Sequence, residues 1–148
     1  MDRIDKEILN IIQDNPKITN VEMARQLKMA PSGILERVKK LEASGVIEGY
    51  EVKISPREMG LALTTFIQVE TDDAIGTNTT GRKIAALEGV QEVYLIAGKY
   101  CYFVKARVKD TDAHNELMKK LGSFKSVRNA RTTLVLETIK ETFKLDFE

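Results

Sequence analysis

From Pro31 to Lys40 the chain reads PSGILERVKK, which sets a hydroxyl, a glycine and three cations beside an apolar stripe. Ser32 can exchange hydrogen bonds with base edges, and Gly33 lets the backbone come close to a duplex. Arg37, Lys39 and Lys40 can neutralise phosphates, and Arg25 stands one helix earlier. From Arg25 to Lys40, five basic side chains (Arg25, Lys28, Arg37, Lys39, Lys40) face one acidic residue, Glu36, a local charge of +4 in a chain of formal net charge +1. Taken singly, each charge is ordinary solvated helix surface; Glu36 and Lys40, for example, form an i,i+4 pair worth a few tenths of a kcal/mol. Taken together, at this spacing, they suit the reading of duplex DNA.

Three helices must hold these groups. Ile4, Ile8, Leu9, Ile11 and Ile12 fall at helical spacing and predict a helix over about residues 2–14, with Asp2 as its cap. A second starts at Thr19-Asn20-Val21-Glu22, a capping-box pattern, with Val21, Ala24 and Leu27 facing inward. The third starts at Pro31, which suits a first helical position, and Gly45 stops it. Ile34, Leu35, Val38 and Leu41 then make its inner stripe, leaving Ser32, Gly33, Glu36, Lys39 and Lys40 outside and Arg37 on the flank. Two short helices and a tight turn with this face are a helix-turn-helix pattern; docking to another protein is the second use of such a unit.

Bulk properties narrow the rest. The 148 residues are 43% apolar, ordinary for a globular chain, and the near-zero net charge offers no global field to attract nucleic acid. One cysteine, Cys101, cannot form an intrachain disulfide. No apolar run approaches the roughly 20 residues of a membrane span, and no signal peptide opens the chain, so a cytoplasmic protein without membrane contact is expected. With one histidine (His114), no Cys-x-x-Cys pair and no phosphate-binding glycine loop, no metal, no cofactor and no enzymatic activity are expected.

Residues 47–54 alternate as a strand, and Ser55-Pro56-Arg57-Glu58-Met59-Gly60 breaks that pattern. The expected organisation is a helix-turn-helix, winged-helix-like domain over residues 1–54, a linker over 55–61 and a second domain over 62–148. In the second domain strands or helices are predicted at 62–70, 77–88, 90–97, 101–109, 112–121 and 127–142, the βαββαβ order of a ferredoxin-like unit, giving an α+β protein overall. Both helices of that unit lie on one sheet face. The other face mixes Thr64, Phe66 and Gln68, and a second copy is its simplest cover. A homodimer is therefore expected, with double-stranded DNA as partner and palindromic half-sites about one helical turn, or a multiple of it, apart.

The stretches DRIDKEILNIIQ and TNVEMARQLKMAPSGILERVKKLEASGVIEGY resemble the Lrp/AsnC family, the leucine- and asparagine-responsive regulators, and weaker likeness continues at LIAGKYCYFVKARV and RTTLVLE. The resemblance implies sequence-specific transcription regulation, dimers assembling to octamers, and an amino-acid effector bound between dimers near the central hairpin turn. Carried onto this chain, the effector residues would be Gly98, Lys99, Tyr100, Cys101 and Tyr102, with Thr132, Thr133 and Leu134. Two departures stand out. Ala30 replaces the Ser or Thr that commonly caps the third helix, a loss of about 1 kcal/mol. In the hairpin the family pattern is close to Gly-Asp-Tyr-Asp-Tyr, whereas here it reads Gly-Lys-Tyr-Cys-Tyr, so both carboxylates are gone. That leaves three readings: a different effector, none, or a retained one held by backbone groups and the Thr132-Thr133 segment. Two other functions are kept beside regulation: an Lrp-like enzyme of tetrapyrrole metabolism, of the sirohaem decarboxylase type, and a low-specificity architectural DNA-binding protein.

Overall fold

A computed structural model describes residues 1–147. They divide into two compact units, Met1–Lys53 together with the C-terminal residues from Glu141, and Ile54–Lys140. The C-terminal residues, expected with the sheet domain, thus group with the helices. There Leu145 is gripped at both backbone groups by Gln13, whose Oε1 accepts from the Leu145 amide at 2.7 Å while its Nε2 donates to the Leu145 carbonyl at 3.2 Å.

The helical unit comprises α1 (Arg3–Asp14), α2 (Asn20–Leu27) and α3 (Pro31–Ala43). Asp2 caps α1 in a full capping box with Asp5. Thr19 caps α2 by accepting from the Glu22 amide at 3.1 Å, but the other half of the expected box gives way, because the Glu22 carboxylate turns to Arg25 and Gln26. Ile8, Ile12, Met23, Ala24, Ile34, Val38 and Leu41 form the core. Val21, expected inside, is 66% exposed and Met23 takes its place; Leu35 is likewise at the surface. The inward stripe of such a helix is one or two residues wide per turn, so an apolar residue at its edge can miss it. Lys28 ends α2 at φ 53°, ψ 45°, a left-handed conformation that turns the chain sharply into α3. Residues 47–54 carry no ladder. Tyr50, Val52 and Ile54 stand exposed there, since an alternating segment becomes a strand only when a neighbour satisfies its backbone.

The second unit runs β1 (Leu63–Thr71), α4 (Thr79–Ala85), β2 (Val90–Leu95), β3 (Tyr102–Val108), α5 (Thr111–Gly122) and β4 (Val127–Leu134). The antiparallel sheet has the order β2-β3-β1-β4, as the ferredoxin-like expectation requires. β4 is eight residues shorter than expected, ending at Leu134 rather than Thr142. Ile67, Val69, Ile84, Tyr102, Val104, Ala106, Val108, Leu117 and Leu121 pack between sheet and helices. On the opposite face Phe66 stacks on Phe103 with centroids 5.4 Å apart, and Glu92 receives Lys105 at 3.2 Å.

Candidate nucleic-acid interface and effector site

Helix α3 has no side-chain cap at Ala30 and relies on Pro31 at its first position and on Gly45, at φ 74°, just past its end. Its buried residues Ile34, Val38 and Leu41 turn Ser32, Glu36, Lys39 and Lys40 outward, all exposed. Gly33 is half-buried, and a Cβ built there would meet only the Met29 Cε, at an ordinary 3.7 Å. The fold therefore does not itself require a glycine at this position.

The cations divide into two kinds. Arg25 is bound to Glu22 at 2.6 and 2.7 Å. Arg37, 31% exposed, donates to Asp2 at 2.8 Å and to Asp5 at 2.7 Å. Lys28, Lys39 and Lys40 make no ion pair among the described residues, so the free positive charge is carried by lysines at the turn and along α3. Sequence reasoning counted Lys28 in the cluster but did not single it out as a contact, and it missed Asp2 and Asp5 as the partners of Arg37.

The effector candidates separate. Gly98, at φ 115°, forms the hairpin turn, closed by Ile96 N–H donating to the Cys101 carbonyl at 2.8 Å. Lys99 is exposed, with its Nζ 3.8 Å from Glu70 Oε2. The Tyr100 ring lies 4.5 Å below the Arg131 guanidinium, and its hydroxyl accepts from Asn129 at 3.1 Å. Cys101 Sγ sits 3.2 Å from Thr71 Oγ1. Thr133, opposite Phe66, shares the open face, and Leu134 ends β4 half-exposed.

Three of the set lie on the helix-covered side: Tyr102, Thr132 and, by its pairing with Thr65, Leu134. Tyr102 is buried and donates to Asp73 at 2.7 Å, while Thr80 supplies Asp73 with an amide at 3.1 Å and a hydroxyl at 2.5 Å. Burial, then the adjacent Asp73 carboxylate, push the Tyr102 hydroxyl up to about 12. Its ring occupies the space over Gly81, where a Cβ would come within 2.4 Å of Cε1. Of the eight candidates only Tyr102 lines the cleft of about 200 Å³ beside α4, with Asn78, Gly81, Arg82, Ala85, Val93 and Leu95. Thr132 meets His114 Nε2 at 3.1 Å, and His114 Nδ1 lies 3.4 Å from Thr65 Oγ1. That histidine is engaged by hydroxyls at both nitrogens, and burial lowers its pKa. Among the described residues no three His, Cys, Asp or Glu side chains come together to hold a metal, and no helix is long and apolar enough to cross a membrane.

Comparison with known proteins gives a consistent outcome. Residues 1–48 match the model for a winged helix-turn-helix DNA-binding domain, and residues 64–145 match that for the Lrp/AsnC ligand binding domain. The chain is 33% identical to the leucine-responsive regulatory protein of Escherichia coli (strain K12), over 98% of this chain and 90% of that one. A transcriptional regulator of Neisseria meningitidis, solved as a complex with L-Met, superimposes with a TM-score of 0.88 at 29% identity, covering 99% of this chain and 96% of its own. The structure of E. coli AsnC superimposes with a TM-score of 0.87 at 27% identity, covering 95% of each.

Proposed function

The chain belongs to the Lrp/AsnC family of transcriptional regulators, and from that premise we propose that it reads duplex DNA through the outer face of α3. The observation that carries this reading is the pairing pattern of the cations: among the described residues Lys39 and Lys40 have no ion-pair partner, along the exposed side of a helix whose other side is core. Ser32 and Gly33 are proposed to meet base edges at the N-terminal end of α3, where recognition helices commonly make such contacts. Lys28, Lys39 and Lys40 meet phosphates. Glu36 lies between the two groups, and Arg25 stays with Glu22.

We further propose that two copies pair through the open sheet face around Phe66 and Phe103, so that their α3 helices enter successive major grooves about 34 Å apart, and that dimers assemble further, to octamers. The Neisseria relative was solved with L-Met, and the matched domain is a ligand binding domain, which supports a small-molecule effector. Its specificity here is proposed to differ from an unmodified amino-acid site, or to be lost, because Lys99 and Cys101 stand where carboxylates could have held an α-amino group. An effector of any kind acts only through a difference in affinity between two assembly states.

The experiment is to select duplexes from a random pool with the full chain and titrate the best of them at several salt concentrations. The Lys39→Gln, Lys40→Gln double variant should bind more weakly on every duplex and lose about two units of the slope of log K against log salt for each α3 engaged, about four for a dimer. An unchanged slope would remove these lysines from the interface.

A further inference from the structure

Arg37 looks like a phosphate contact by its place in the cation cluster, but its geometry gives it another task. Asp2 Oδ1 accepts from the Asp5 amide at 2.9 Å, and Asp5 Oδ2 accepts from the Asp2 amide at 3.0 Å. The remaining oxygen of each carboxylate, Asp2 Oδ2 and Asp5 Oδ1, accepts from Arg37 Nη1. All four carboxylate oxygens are thus assigned, two to the start of α1 and two to one guanidinium of α3. The ring joins residues 32 and 35 positions apart and lies beside the buried contacts of Ile34 and Val38 with the α1 core residues.

We propose that Arg37 is a positioning residue of the reading helix: it fixes the angle of α3 against the start of α1 and makes no phosphate contact itself. A guanidinium can serve a phosphate or this carboxylate pair, and leaving the pair would set two adjacent carboxylates against each other. Rotation of α3 about its own packed stripe is what the ring prevents. That rotation matters for base contacts, which need fixed register, far more than for phosphate contacts, which flexible lysines follow. This inference rests on the DNA-reading function proposed above.

The test uses the full chain, the selected duplex and a scrambled duplex of the same composition, with folding monitored by thermal unfolding. The Asp2→Asn, Asp5→Asn double variant keeps both cap acceptors, since Asn caps about as well as Asp, but removes the charge partners of Arg37. A contact role for Arg37 predicts equal or tighter binding by this variant, because a cation is released and two anions are lost. A positioning role predicts the opposite sign: affinity for the selected duplex falls about tenfold toward the non-specific level while affinity for the scrambled duplex does not fall. Arg37→Met should do the same with an unchanged salt slope, and Arg37→Lys, able to keep one ion pair, should recover part of the loss. A salt slope smaller by about one unit per α3 engaged, about two for a dimer, in Arg37→Met would overturn the proposal. So would tighter binding by the Asn pair, or a lowered unfolding midpoint with no change in affinity on either duplex. If the unmodified chain prefers no duplex at all, the DNA-reading function itself fails, and this inference with it.

Discussion

Arg25 and Arg37 enter a charge count with the same sign as Lys28, Lys39 and Lys40, yet the fold gives both of them carboxylate partners. Glu22, three residues away from Arg25, is a partner that helical spacing makes visible in sequence. Asp2 and Asp5 are not visible in that way, because only the packing of α1 against α3 brings them to Arg37. The carboxylates carry a testable consequence. The Asp5 amide, and after it the Arg37 guanidinium, hold Asp2 below its ordinary 3.8; the Asp2 amide and then Arg37 do the same for Asp5. A carboxyl whose folded pKa is depressed favours the fold above 3.8 and loses that contribution as the pH falls through its lower folded value. The urea midpoint should therefore drop between about pH 5 and pH 3, and Arg37→Met should drop less over the same interval. Parallel pH profiles for the two proteins would show that the ring adds nothing to stability.

At the scale of elements, α3 was legible because its apolar positions and its start and stop residues all agree. Gly33 supplies a clean separation of stability from binding. Its Cβ would find only an ordinary contact with Met29, so Gly33→Ala should stabilise α3 by about 0.5–1 kcal/mol while weakening binding to the selected duplex, where the methyl group intrudes. Unfolding midpoint and dissociation constant moving the same way, both improved, would place the duplex away from Gly33. The alternation over residues 47–54 predicts a strand, but it records an extended backbone and not whether a partner exists, and no ladder forms there. The hairpin set failed to converge for a related reason. Gly98–Cys101 form the turn that precedes β3, where the alternation of a strand does not hold and side-chain directions cannot be read from spacing: Tyr100 goes to Arg131 on the open face, and Tyr102, the first residue of β3, to Asp73 inside.

For the whole molecule, the βαββαβ order was readable from periodicity alone, and the sheet order follows from it. Placement of the C-terminal residues with the helices is not readable in the sequence, since it rests on contacts between distant positions: Gln13 with the Leu145 backbone, Lys144 with Asp14, and Lys53 with the Glu141 carbonyl. The open sheet face supports a prediction about assembly. A carboxylate introduced by Phe66→Glu, beside Phe103 and opposite Thr133, should shift the full chain toward monomers in sedimentation with little change in its far-ultraviolet spectrum. A monomeric parent chain, or a variant that sediments with the parent, would remove the proposed interface. In the proposed dimer, pairing of the two α3 helices is what would turn Lys28, Lys39, Lys40 and a few base contacts into useful affinity.

The central claim is that this chain discriminates among DNA sequences through α3. The measurement that tests it most directly is the ratio of dissociation constants of the full chain for its best selected duplex and for a scrambled duplex, at one physiological salt concentration. A ratio of about a thousandfold or more is predicted, and a ratio near one, with both affinities collapsing together as salt rises, would contradict it.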